Sequence, residues 1–190
     1  MLPDFIIKEN GPASNQFLNR GIHSFHFATE YIKNLPYRRN SSPFPLENVL
    51  TEQCGVCSTK HALLKQLAIE NQQYKIQLVL GIYKMNEWNT HGVGPVLQKY
   101  GLDYILEGHT YLKYEGQIYD FTKANVNLRF AESLVDEILL QPDQIGEWKI
   151  EKHKDYLLKW LYETKLIQRF TLEQIWQVRE ECIAAMLEVS

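Results

Sequence analysis

The sequence predicts an α+β fold in which helices pack on a small antiparallel sheet. Three observations carry this expectation. Apolar residues recur at helical spacing in the first third of the chain and again in its last third. The run Lys75-Ile76-Gln77-Leu78-Val79-Leu80-Gly81-Ile82-Tyr83 has the composition of a strand. Tyr104 to Tyr114 and Gln117 to Thr122 then read as two strands joined at Glu115-Gly116, which is a hairpin.

Taken in order, Ser14 to Leu35 reads as one helix, because Leu18, Ile22, Phe25 and Ile32 share a face, and Pro36 ends it. A loop with Ser41, Ser42, Pro43 and Pro45 delivers the chain to Gly55 and Cys57. From Cys57 to about Asn71 the pattern is helical again, with Ala62, Leu63, Leu67 and Ala68 as its core stripe. After the first strand, Asn86 to Pro95 is a loop holding Trp88, His91, Gly92 and Gly94, and a helical turn runs from Val96 to Tyr100. The part beyond the hairpin reads as helical. Thr171-Leu172-Glu173-Gln174 fits a capping box, and Ile175, Trp176, Ile183, Met186 and Leu187 give the last helix an apolar side.

At 190 residues the chain is long enough for one domain with a real core. Its 45% hydrophobic and 23% charged residues are ordinary for a globular protein. The net charge of −3 gives no general attraction to nucleic acid or to an anionic membrane. The start has no export signal, and no apolar run is long enough to span a bilayer. Three cysteines, Cys54, Cys57 and Cys182, are an odd count that favours free thiols in a cytoplasmic, reducing compartment.

The chemistry centres on Cys57. A thiol at a helix start sits beside unpaired backbone amides, which favour the thiolate and can stabilise an oxyanion forming beside the sulfur. A two-residue turn at Glu115-Gly116 makes Tyr114 face Gln117, and that register puts His109 and Asp120 on one face of the hairpin. Asp120 is then a diagonal neighbour of His109 and is expected to hold its Nδ1–H, leaving Nε2 for Cys57. Glu107 shares the face and competes for that role, but the strand end after Asp120 favours the aspartate. Cys57, His109 and Asp120 are therefore the candidate catalytic residues. They need no organic cofactor and no metal.

These residues resemble the transglutaminase-like superfamily of papain-type folds. That superfamily opens a helix with G-x-C-x-x-x-A, here Gly55-Val56-Cys57-Ser58-Thr59-Lys60-His61 with Ala62 one place late. A histidine strand, His109-Thr110-Tyr111-Leu112, and an aspartate strand, Ile118-Tyr119-Asp120-Phe121-Thr122, follow in the family's order. The resemblance covers roughly residues 50–125 and implies one papain-like domain over 1–190 with helical N- and C-terminal additions. It implies attack on an amide, ester or thioester bond of a peptide or acyl substrate, through a thioester on Cys57. Three departures stand out. His109 and Asp120 lie closer in sequence than is common there, Ser58 replaces an aromatic residue, and Thr51 occupies the place of the papain-type glutamine. Gln53 is the remaining candidate for an oxyanion side chain, and Trp88 and His91 are candidate substrate-binding residues at the site's rim.

Other readings compete. The fold could serve as a binding or scaffold module without catalysis. Cys54-Gly55-Val56-Cys57 is also a C-x-x-C at a helix start, as in dithiol redox proteins, although those place it directly after a strand. A zinc site at the same pair lacks two further ligands. His23, His26 and Glu30 share one helix side and could form a metal face, but an ordinary polar surface explains them as well. His61 reads as a helix-surface residue, and Trp160 and Trp176 as core. The oligomeric state leaves no mark in the sequence.

Overall fold

The computed structural model describes residues 1–125 and 127–188. It is an α+β fold with helices packed on a four-stranded antiparallel sheet. The strands are β1 (Gln77–Met85), β2 (Ile105–Tyr114), β3 (Gln117–Tyr119) and β4 (Leu134–Leu140), in the order β3-β2-β1-β4. Two compact units divide the chain. The first comprises Met1–Leu80, His109–Val126 and Ile138–Gly146; the second comprises Gly81–Gly108, Asn127–Glu137 and Glu147–Ser190.

In the first unit, α1 (Pro12–Leu18) and α2 (Phe25–Asn34) replace the single helix expected over 14–35. The break has a local cause. Gly21 takes a positive φ of 73°, its N–H bonds the carbonyl of Leu18, and Ile22 N–H reaches back to Phe17. That is the left-handed glycine stop of a helix, which outweighs a continuous apolar pattern. Ser24 then pairs with Ile6 before α2 begins, and Leu35, extended ahead of Pro36, ends it as expected. Glu70 caps α1 from outside, its two carboxylate oxygens accepting from Ala13 N (3.1 Å) and Ser14 N (2.7 Å). The short α3 (Asn48–Thr51) closes the loop that leads to Gly55.

The core of this unit is α4 (Cys57–Glu70), which contacts α1, α2, α3 and the 3₁₀ turn Pro142–Gln144. It is buried on every side rather than along one stripe. Leu63, Leu64 and Leu67 are wholly enclosed, and each contributes about 1.5–3 kcal/mol by leaving water. Lys60, His61 and Lys65 are buried too, so His61 is not the surface residue expected from its polarity. Their polar atoms have partners in the main chain. Lys60 Nζ donates to the carbonyls of Leu35 (2.6 Å) and Thr122 (2.8 Å), and Lys65 Nζ to those of Ile76 (2.6 Å) and Tyr74 (3.3 Å). Each removes the penalty of an unpaired group in the core.

The β2–β3 hairpin has the expected register. Tyr114 pairs with Gln117, Lys113 with Ile118 and Leu112 with Tyr119. Glu115 and Gly116 both take positive φ (48° and 78°), the turn whose twist matches the strands it joins. β3 is shorter than expected and ends at Tyr119, so Asp120 leaves the ladder.

The second unit holds α5 (Gly94–Tyr100), α6 (Glu147–Glu163) and α7 (Leu172–Glu188), with α5 and α6 both against α7. The capping box is present as read: Thr171 N–H donates to Gln174 Oε1 (2.8 Å) and Gln174 N–H to Thr171 Oγ1 (3.2 Å). The buried side of α7 is Ile175, Val178 and Cys182, while Leu187 is exposed. Within this unit Glu107 and Arg179 form a buried bidentate pair, with Nε–Oε2 and Nη2–Oε1 both at 2.6 Å. β4 and the 3₁₀ stretch Leu128–Ser133 correct the helical reading of everything past the hairpin. Among the described residues no helix is long and apolar enough to cross a membrane. No group of three or more His, Cys, Asp or Glu among them is placed to hold a metal ion.

Candidate active site

Cys57 is the first residue of α4, in the turn whose amides have no carbonyl of the same helix to bond. The approach to it is fixed from three directions. Gly55 bridges to Tyr37, with Gly55 N–H on the Pro36 carbonyl and Arg38 N–H on that of Gly55. Val56 is extended, and its N–H is taken by Thr59 Oγ1 at 3.1 Å, which caps the helix from its own first turn. A side chain at position 55 would press on Lys60 Cγ and Thr59 Oγ1, each 3.0 Å from where a Cβ would lie. Gly55 therefore serves by leaving space; its backbone has no special conformation.

Cys57 shares a side-chain hydrogen bond with His109. His109 Nε2 in turn lies 2.7 Å from Asp120 Oδ2. Asp120 Oδ1 accepts from Thr122 N–H at 2.9 Å, which holds the carboxylate on both sides. The three sequence candidates thus form one hydrogen-bonded series inside the first unit. The ring is turned the other way from the expectation, since Asp120 takes Nε2 instead of Nδ1. β3 stops at Tyr119, so Asp120 meets the ring from outside the ladder and takes the outer ring nitrogen. A carboxylate only accepts, so Nε2 carries the hydrogen, and Nδ1 is left for the thiol.

The cluster is nearly dry: Cys57 is 7% exposed, and the side chains of His109 and Asp120 are 18% and 2% exposed. Burial works against charge on His109. The Asp120 carboxylate, its hydrogen bond and Cys57 outweigh burial and raise the imidazole to about 10. Burial likewise pushes Asp120 up, but the charge and hydrogen bond of His109 pull it below the usual carboxylate range. The sign for stability follows. The imidazolium's contribution is complete below the free-histidine value of ~6.5 and is lost as pH rises through about 10. The carboxylate's contribution is present above ~3.9 and lost as pH falls toward its depressed value. Denaturant midpoints of the wild type should therefore decline from pH 6.5 to 10, and those of Asp120→Asn should decline less over the same range.

Four residues that the sequence did not single out complete the surroundings. His61 Nδ1–H donates to the Cys57 carbonyl (2.8 Å), and its Nε2 accepts from Phe121 N–H (2.7 Å). Burial lowers it to about 4, so it is neutral and ties the nucleophile's turn to the residue after Asp120. Burial also lowers Lys60 to about 8, against the pull of Asp120, Cys54 and Cys57. Asn40 Nδ2 donates to the Cys54 carbonyl (3.0 Å), and its Oδ1 accepts from Thr59 Oγ1 (2.8 Å). The one sequence signal for the buried pair is the position of Lys60 and His61 just inside a helix whose other faces are apolar. Asn40 and Thr59 carry no such signal.

Gln53 is exposed with a positive φ of 52°. It lines an open groove of about 690 Å³ together with Ile22, Phe27, Tyr31 and Leu35. Trp88 and His91 lie in the second unit. Trp88 is 53% exposed with the Arg129 guanidinium over its ring, and His91 Nδ1 pairs with Glu87 Oε1 at 2.5 Å. Glu107, the rival carboxylate, is committed to Arg179. Burial acts to raise it, yet the Arg179 charge prevails and holds it down to about 2. All three cysteines are free. No known protein family, no curated protein and no solved structure matches this chain.

Proposed function

We propose that the protein is a transglutaminase-like cysteine hydrolase or acyltransferase that attacks an amide, ester or thioester carbonyl through Cys57. The observation that carries this reading is the series Cys57–His109–Asp120 at the first turn of a buried helix. With His109 raised to about 10, its Nδ1 holds the thiol proton at neutral pH, and the thiolate sulfur bonds to the substrate carbonyl carbon. Amides of the first turn of α4 are suited to the oxyanion. As the tetrahedral species collapses, the bond to the leaving group breaks and the leaving group receives the proton from His109. Water or an amine then adds to the thioester, gives its proton to His109, and releases the acyl product with the thiol restored. Asp120 orients the ring and balances the imidazolium; it transfers no proton. The substrate class is a peptide, amide or acyl compound. The net charge of −3 does not favour nucleic acid, and three free thiols suit the cytoplasm.

Iodoacetamide labelling across pH, read by peptide mass spectrometry, tests this. Cys57 is expected to label well below the ~8.5 of a free thiol and far faster than Cys54 or Cys182. Burial, with the charges of Glu107 and Glu181, pushes the Cys182 thiol up to about 12. His109→Ala should slow Cys57 alone. Equal rates at all three cysteines would overturn the catalytic reading and leave a binding or scaffold module. A reversible loss of two hydrogens across the Cys54–Cys57 peptide after mild oxidation, without the labelling preference, would favour a dithiol pair instead.

A further inference from the structure

Lys60 is the least expected residue of the first unit. A lysine with no exposed surface costs much unless its charge is balanced. Its two hydrogen-bond acceptors, the carbonyls of Leu35 and Thr122, are neutral. They satisfy its donors but do not cancel its charge. Asp120 does, and so does Cys57 as a thiolate. Asp120 lies beyond Thr122 on the segment after β3, and Cys57 lies one turn earlier on α4 itself. Lys123 acts against its charge, and Lys60 in turn helps to keep the neighbouring His61 neutral.

The anchoring is as informative as the charge. Thr122 accepts from Lys60 Nζ through its carbonyl and donates to Asp120 Oδ1 through its N–H. One peptide segment therefore links the ammonium to the carboxylate that holds His109. The other anchor, Leu35, ends α2 just ahead of the strand-like segment that pairs with Gly55. The lack of a side chain at Gly55 gives the Lys60 stem its path.

We infer that Lys60 is a positioning residue and the buried counter-cation of the site, holding the Asp120 segment in place and favouring the thiolate of Cys57. This rests on the reading of Cys57 as nucleophile. Lys60 follows Cys57 by three residues, on the same side of α4, and its ammonium is anchored on Thr122, the residue that also holds Asp120, so its charge adds to that of the imidazolium without replacing it. Lowered to about 8, Lys60 remains charged at neutral pH. A passive core lysine would hold the fold but leave the titration of Cys57 unmoved.

The experiment compares iodoacetamide labelling of Cys57 from pH 5 to 9 in the wild type, Lys60→Gln and Lys60→Met. Gln keeps a donor for one carbonyl and loses the charge; Met loses both. Both variants are expected to raise the labelling midpoint by about one pH unit, which is about tenfold slower labelling at pH 6. Lys60→Arg should recover part of the loss. Variants that label with the wild-type midpoint overturn the inference and leave the nucleophile reading intact. A wild-type Cys57 no more reactive than Cys54 overturns that reading first. If the variants do not fold, the reciprocal measurement decides. The Lys60 ammonium, followed by NMR in the wild-type protein, should lose its proton at lower pH once Cys57 is alkylated. An unchanged Lys60 titration overturns the inference.

Discussion

Asp120→Asn should leave the fold in place and slow the chemistry of Cys57 by about 10²- to 10⁴-fold. The reason lies in how the carboxylate is shared. Oδ1 accepts from Thr122 N–H and Oδ2 faces His109 Nε2. An asparagine amide satisfies Thr122 only with its oxygen, which turns its NH₂ toward Nε2. Nε2 must then accept, and the ring hydrogen moves to Nδ1, the nitrogen that should receive the thiol proton. The geometry survives with the wrong tautomer. Labelling of Cys57 at pH 7, or turnover once a substrate is found, measures the loss, and circular dichroism checks the fold. Normal reactivity in this variant would remove Asp120 from the site.

Glu107→Gln should do the opposite: a large loss of stability with little change in Cys57 labelling of the folded fraction. Its carboxylate makes two 2.6 Å contacts with the Arg179 guanidinium in a buried setting. Removing one charge leaves Arg179 with the more exposed Glu180, whose Oε1 accepts from Nη1, as its carboxylate partner, so the cost is about 3 kcal/mol, the low end for a broken buried pair. That is a large share of the ~5–15 kcal/mol by which domains are stable. The pH dependence has a definite sign. Glu107 is held down to about 2, so its contribution is present above the free value of ~4.3 and lost as pH falls through about 2. The variant should show a flatter acid limb in urea titrations. Together the two substitutions separate the roles expected of the two carboxylates: Asp120 in the reactivity of Cys57, Glu107 in the stability of the second unit.

The parts of this structure that could be read from sequence are those fixed by local chemistry. Glu115-Gly116 dictates a two-residue turn, and with it the register that brings Asp120 to His109. Thr171 and Gln174 mark a helix start because they satisfy each other's amides. What escaped depends on partners far along the chain. Leu134–Leu140 reads Leu-Val-Asp-Glu-Ile-Leu-Leu, which has no two-residue alternation, and it is a strand only because β1 pairs with it. Ser14 to Leu35 has the right spacing for one helix, and only the conformation of Gly21 divides it. The orientation of the His109 ring follows from where β3 stops, a tertiary matter. His61 reads as a surface residue because polar side chains on helices are usually outside, yet it is fully buried.

The side chains that fasten α4 seek main-chain atoms. Lys60 finds the carbonyls of Leu35 and Thr122, Lys65 those of Tyr74 and Ile76, and His61 the carbonyl of Cys57 and the N–H of Phe121. Every amino acid presents a carbonyl, and all but proline present an N–H. The fastening therefore constrains the path of the neighbouring segments far more than the identity of their residues. Substitutions at 35, 74, 76, 121 and 122 can accumulate over evolutionary time while the helix that carries Cys57 keeps its seat. In such a lineage the geometry around the thiol would outlast the spelling of the segments that frame it.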